Sequence, residues 1–126
     1  MVYPIALRKG FRTIGIVSSR AEKEAAAMSV DVEVVYVVKD DTWGGRQGTD
    51  LSPTSEAIVE ACDEMIGIGG GAIARDELEE ARRRGKPVTF FPADMNHALA
   101  TDKARRSGDP PPTDFHGEAR ALFNSP

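Results

Sequence analysis

The sequence predicts an α/β domain, with a parallel sheet of four or five strands and helices on both faces in three layers. Short β-branched or apolar runs recur at residues 13–17 (TIGIV), 32–38 (VEVVYVV), 65–68 (MIGI) and 88–91 (VTFF). Segments of helical propensity stand between them, and glycine, proline and serine punctuate the joints. Alternating strand and helix with short joints implies parallel strands and right-handed crossovers. At 126 residues the chain is read as one domain, residues 1–126, able to bury a core without disulfides or metals.

Taken in order, residues 2–7 are apolar but interrupted by Pro4, which predicts an edge strand or an extended arm. The continuous run at 13–17 reads as a strand buried on both faces. Ser19-Arg20-Ala21-Glu22 fits a capping box that opens an alanine-rich helix over 21–28. Residues 32–38, with five valines and a tyrosine, give the strongest strand signal. A polar loop over 39–52 carries the one tryptophan, Trp43. Ser52-Pro53 then reads as N-cap and first position of a helix over 54–64. On that helix Ala57, Ile58, Ala61, Cys62 and Met65 share a face and are expected against the sheet.

The stretch 62–92, CDEMIGIGGGAIARDELEEARRRGKPVTFFP, has the pattern strand, glycine turn, helix, strand. Its helix places Glu79 before Arg83 and Glu80 before Arg84 at i,i+4, and Gly85 with Pro87 ends it. Asp94 is read as the cap of a helix reaching residue 106. The Pro-rich segment from 107 breaks regular structure, and a short C-terminal helix is expected over 114–123.

In parallel sheets ligands bind beyond the carboxyl ends of the strands. Here those ends are Ser18, Ser19 and Arg20, then the loop with Gly44 and Gly45, then Gly69, Gly70 and Gly71, then Asp94. Glycine lets the chain come close to a ligand, and first-turn helix N–H groups attract anions, so the glycine turn is a candidate phosphate site. The plainer alternative is a tight turn and nothing more. Gly67, Gly69 and Ala72 also fit G-x-G-x-x-[GA], with Asp94 placed to hold a ribose hydroxyl, a dinucleotide pattern. AMP, ADP-ribose and NAD are the ligands this pattern admits. Arg75 is placed to pair with a phosphate or to sit on the surface.

The segment from Gly69 to Glu77, GGGAIARDE, resembles the P-G-G-x-G-T-x-x-E motif of the Lonely Guy phosphoribohydrolases, formerly called lysine decarboxylases. They belong to the SLOG superfamily of Rossmann-like nucleotide-binding proteins. The resemblance covers about thirty residues. It implies a Rossmann-like fold, a phosphate turn at Gly70 and Gly71, and Glu77 as the carboxylate acting at an N-glycosidic bond. Departures fall at Gly69 for proline, Ile73 for glycine and Ala74 for threonine, and the family's upstream glycine-rich element is missing. Nucleoside deoxyribosyltransferases are similar at the same acidic position. The resemblance therefore implies nucleotide binding first, with N-glycoside hydrolysis or transfer as an alternative. A third alternative is a ligand-free assembly or regulatory module. It also implies a homo-oligomer, paired through residues 94–106 or the terminal helix.

Composition bounds the rest. A net charge of −4 argues against an electrostatic hold on nucleic acid or an anionic membrane. With one cysteine, Cys62, no internal disulfide can form, which points to a reducing, cytoplasmic setting. No apolar run approaches the roughly 20 residues that span a bilayer. His97 and His116 lie nineteen residues apart and, with Cys62, give no metal-ligand spacing. Trp43, beside Gly44, Gly45 and Arg46, is placed to stack on a base or to fold back on the domain. The run Arg82-Arg83-Arg84 reads as a solvated face.

Overall fold

The computed structural model describes residues 2–124. It is a mixed α/β structure dividing into two compact units, Met1–Ile58 and Val59–Pro126. Among the described residues no helix is long and apolar enough to cross a membrane.

The first unit opens with α1 (Val2–Arg8), where an edge strand or extended arm is expected from the sequence. Pro4 sits in the first turn, where its missing N–H removes no helical bond, so the residue read as a helix breaker is tolerated. Strand β1 (Ile14–Ser18) then pairs in parallel with β2 (Val34–Val38), Ile14 opposite Val34 and Ser18 opposite Val38. Between them α2 (Ser19–Lys23) has five residues rather than the expected eight. Its N-cap is Ser18, whose hydroxyl accepts from the Ala21 N–H at 3.2 Å, in place of the expected Ser19. The Ser19 hydroxyl is engaged elsewhere, donating to the Asp40 carbonyl at 2.9 Å and accepting the Asp40 N–H at 3.0 Å. The helix stops where Ala25 takes φ +50°. Alanines favour a helix but offer little surface to bury, and helices this short depend on packing.

The polar loop contains a two-residue hairpin, β3 (Arg46–Gln47) with β4 (Asp50–Leu51), turned at Gly48 with φ +69°. Helix α3 (Pro53–Ala61) begins as expected, the Ser52 hydroxyl accepting from the Ser55 N–H at 3.3 Å. Its buried residues are Thr54, Ser55 and Val59, with Ala61 exposed, so the buried stripe differs from the expected one. Ser55 can be buried because its hydroxyl accepts from the Gly45 N–H at 2.7 Å.

In the second unit β5 (Met65–Ile68) and β6 (Val88–Phe91) pair in parallel, Met65 opposite Val88 and Ile68 opposite Phe91. Helix α4 (Ala72–Arg83) connects them. Its Leu78 and Ala81 are buried. Gly67 lets the helix approach, because a β-carbon there would fall 2.7 Å from a Leu78 methyl and 3.0 Å from the Phe90 ring. On another flank Glu80, 4% exposed, accepts from Arg83 Nε at 2.9 Å and Arg84 Nε at 3.0 Å. Gly85 follows with φ +76°, as expected of a residue just past a helix end. Lys86 reaches back to the end of α3, its ammonium donating to the carbonyls of Val59, Glu60 and Cys62. A cation there offsets the negative end of the helix dipole.

Helix α5 (His97–Ser107) is capped by Asn96, which accepts from the Leu99 N–H at 3.0 Å, rather than by Asp94. The expected terminal helix is a 3-10 helix, Glu118–Leu122. Parallel pairing is thus as expected, but pairing among the described residues stops at two strands per sheet, where a sheet of four or five is expected from the sequence. The outer residues Tyr36, Ile66, Ile68 and Phe91 are exposed accordingly.

Candidate functional site

The glycine turn between β5 and α4 is the most unusual piece of backbone in the second unit. Gly69 and Gly70 take φ +60° and +124°, conformations that side chains rarely adopt. A β-carbon on Gly69 would lie 2.7 Å from the Ala93 carbonyl oxygen, and one on Gly70 2.6 Å from the Ala74 methyl. Both glycines are therefore required by the fold itself. Gly71 differs. It is extended, with φ −92° and ψ −155°, and the nearest atom to a β-carbon there would be Glu118 Oε2 at 3.5 Å.

Gly71 is the N-cap of α4 and supplies no side chain to it. A helix start leaves its first N–H groups without helical partners and carries the positive end of the dipole. Ala72, Ile73 and Ala74, which bear those groups, line a cleft of about 860 Å³. Glu77, one turn along α4, lines the same cleft, as do Met95, Lys103 and Glu118. Arg75 donates to the Asp76 carboxylate at 2.8 Å, and that bond holds its guanidinium still more firmly protonated. Asp76 itself is buried. With Glu77, Asp114 and Glu118 against Lys103, the cleft wall carries more carboxylates than ammonium groups.

The far side of the cleft is the chain's own C-terminal segment. The Ala119 N–H donates to the Gly70 carbonyl at 3.2 Å, and the Met95 N–H donates to the Phe115 carbonyl at 2.7 Å. Gly117, with φ +73°, presses on the turn so closely that a β-carbon would fall 2.2 Å from the Gly70 oxygen. Phe123 stacks on Phe90 with centroids 4.5 Å apart, and Arg82 lies over the Phe123 ring.

Asp94, expected at a ribose, bridges two histidines. Its carboxylate meets His116 Nδ1 at 2.9 Å and His97 Nε2 at 3.3 Å, and the His97 ring stacks on Phe115 at 3.9 Å. The bonds from His97 and then His116 hold the Asp94 carboxyl below its ordinary range. Neither this cluster nor the Glu118 contact is among the features expected from the sequence. Asp94 and His97, three apart across a helix start, are a visible hint; His116 is not, because only the path of the C-terminal segment brings it there.

The other predicted residues lie in the first unit and take part in its internal hydrogen bonds. Ser18 caps α2, and Ser19 is bonded to the Asp40 backbone. Arg20 donates to the Asp41 carbonyl at 3.2 Å and sits 5.8 Å from the Trp43 ring centre. Gly45 is bonded to Ser55 and, through its carbonyl, to the Ser52 N–H at 2.8 Å; the Gly44 N–H donates to the Thr42 hydroxyl at 3.2 Å. At the centre is buried Asp40. Burial pushes its carboxyl up, but donors from Thr42 and Thr54 outweigh this and hold it well below the carboxylate range. Comparison of the chain with family models, with curated proteins and with solved structures finds no match.

Proposed function

We propose that the cleft at the glycine turn binds a nucleotide-derived ligand, with the ligand's anionic group at the first-turn amides of α4. The observation that carries this reading is a twelve-residue helix whose start has no side-chain cap and opens into an 860 Å³ cleft. The cleft lies past the carboxyl end of β5, where parallel α/β units place ligands. The reading includes the finer architecture expected from the sequence, a Rossmann-like three-layer arrangement of SLOG type, with AMP, ADP-ribose or NAD-like molecules as the ligand class.

A second reading rests on Glu77. It lines the same cleft, one helical turn from the amides, where a carboxylate could stabilise an oxocarbenium-like centre during N-glycoside hydrolysis or transfer. The test begins with native mass spectrometry of the purified protein, then calorimetry with AMP, ADP-ribose and NAD. Gly71→Ala places a methyl at the anion's position and should weaken binding at least tenfold, about 1.4 kcal/mol. Its unfolding curve should shift little, since the position is extended and a β-carbon there meets only ordinary contacts, Glu118 Oε2 at 3.5 Å and Met95 Cε at 4.0 Å. Glu77→Gln should keep the ligand and, if the second reading holds, lose release of free base. Unchanged affinity in Gly71→Ala defeats the binding reading.

A further inference from the structure

We infer that Arg120 and His116 form a second, smaller site, which takes the oxyanion of a phosphate or carboxylate group. It stands apart from the reading of the larger cleft, because neither Gly71 nor Glu77 lines it.

An unpaired donor marks the place. Arg120 Nε is buried and has no hydrogen-bond partner among the described residues. Buried N–H groups in folded proteins are nearly always paired, so an orphan calls for an acceptor. The same side chain lines a cavity of about 290 Å³, together with Asp114, His116 and Asn124. A guanidinium presents its N–H groups as a planar fork, which matches two oxygens of a carboxylate or phosphate. Pockets for whole drug-sized ligands begin at about 300 Å³. A cavity of 290 Å³ therefore suits a single anionic group or a short acid rather than a nucleotide.

The second residue is held from behind. His116 Nδ1 donates to the Asp94 carboxylate at 2.9 Å, which leaves Nε2 as the ring nitrogen available to a ligand. Asp114 is the opposing charge. Its carboxylate accepts the His116 N–H at 2.8 Å and lies 3.9 Å from His116 Nε2. One carboxylate on this wall is thus set against a guanidinium and an imidazole that can charge. The larger cleft has the opposite balance, with three carboxylates to one ammonium group. Of the two, the smaller cavity is the better host for an anion.

The test uses the whole chain, with inorganic phosphate and acetate as probes and the Arg120 Nε–H resonance as readout. A probe that binds should shift that resonance and slow its exchange with water. Phosphate acting alone assigns the site to phosphate groups, and acetate acting alone assigns it to carboxylates. Arg120→Lys keeps the charge but loses the fork, so the midpoint read at the His116 ring should rise about tenfold or more. His116→Asn removes an exposed partner and should raise the midpoint at Arg120 about two- to fivefold. A resonance that answers neither probe overturns the inference, as does an Arg120→Lys midpoint equal to that of wild type. Gly71→Ala should leave the Arg120 response intact; a response lost in that variant places the anion in the larger cleft and overturns this site. If Arg120 answers phosphate while AMP fails to bind in calorimetry, the nucleotide reading falls and the Arg120 site stands.

Discussion

The β1–α2–β2 and β5–α4–β6 units solve the same problem differently. Each joins two parallel strands through a helix, and each must satisfy the N–H groups at that helix start. In the first, the last residue of the strand is a serine whose hydroxyl caps α2, and Asp40 accepts the Thr54 N–H at 3.0 Å at the start of α3. In the second, Gly71 stands at the N-cap and supplies no side chain to the first-turn N–H groups of α4. A side-chain cap closes a helix end for good. A glycine N-cap leaves the first-turn N–H groups without a capping side chain of their own. On the function proposed above, the difference separates a rim closed by side chains from one left open to a ligand.

The largest effect that would sharpen this contrast is within the turn itself. Gly70→Ala meets both a strained φ of +124° and an Ala74 methyl 2.6 Å away. It should destabilise the second unit by about 3 kcal/mol, read from urea unfolding. Gly71→Ala should leave the same curve within about 0.5 kcal/mol. If both alanines cost the same, the turn does not divide into a structural and a ligand-facing part.

Asp40→Ala probes the rim of the first unit. The carboxylate accepts the Thr42 N–H at 2.9 Å, the Thr42 hydroxyl at 2.7 Å and the Thr54 N–H. Losing a cap and the loop bonds together should cost about 2 kcal/mol. Phosphate or nucleotide binding should be untouched. A binding defect from this substitution would mean that the first rim is more than structural.

How far the sequence reveals this contrast depends on what each residue has to meet. The strands and α4 are legible because β-branched runs and a charged helical segment ending in glycine report local preference directly. The cap falls one residue from its expected place, at Ser18 instead of Ser19, because both serines fit and the choice depends on Asp40, twenty-one positions beyond Ser19. Pro4 misleads because its effect depends on which turn of a helix it occupies. The Gly69, Gly70 and Gly71 turn is plain in the sequence, yet nothing local distinguishes the two glycines that the fold requires from the one that it does not. The contacts that His116 and Ala119 make are invisible there, since a Pro-rich tail carries no periodicity to say what it will lie against. The paired strands can be read one by one, but sheet extent depends on long-range pairing that strand signals do not encode.

Acid offers the gentlest way to separate the two units, because each has a buried carboxylate with a depressed pKa. Bonds from Arg83, opposed by burial and joined by Arg84, hold the Glu80 carboxyl at about 2, against an ordinary 4.5. A depressed carboxylate stabilises the folded state fully above its unfolded pKa and loses that contribution as pH falls toward the folded value. For Glu80 the window is therefore from 4.5 down to about 2. The shift sets an upper limit of about 3 kcal/mol. Arg83 is 70% exposed, so screening should leave roughly 1–2 kcal/mol. Asp40 is held lower still by its Thr42 and Thr54 donors, so the first unit should keep its carboxylate further into acid. Trp43 is the only tryptophan and belongs to the first unit, while α4 is the longest helix among the described residues. Between pH 4.5 and 2 the helical circular dichroism signal should therefore begin to fall before Trp43 fluorescence changes. Glu80→Gln should remove most of the acid dependence of that early loss. If Trp43 responds first, the Asp40 cluster is the weaker of the two, and the assignment of the closed, structural rim to the first unit fails.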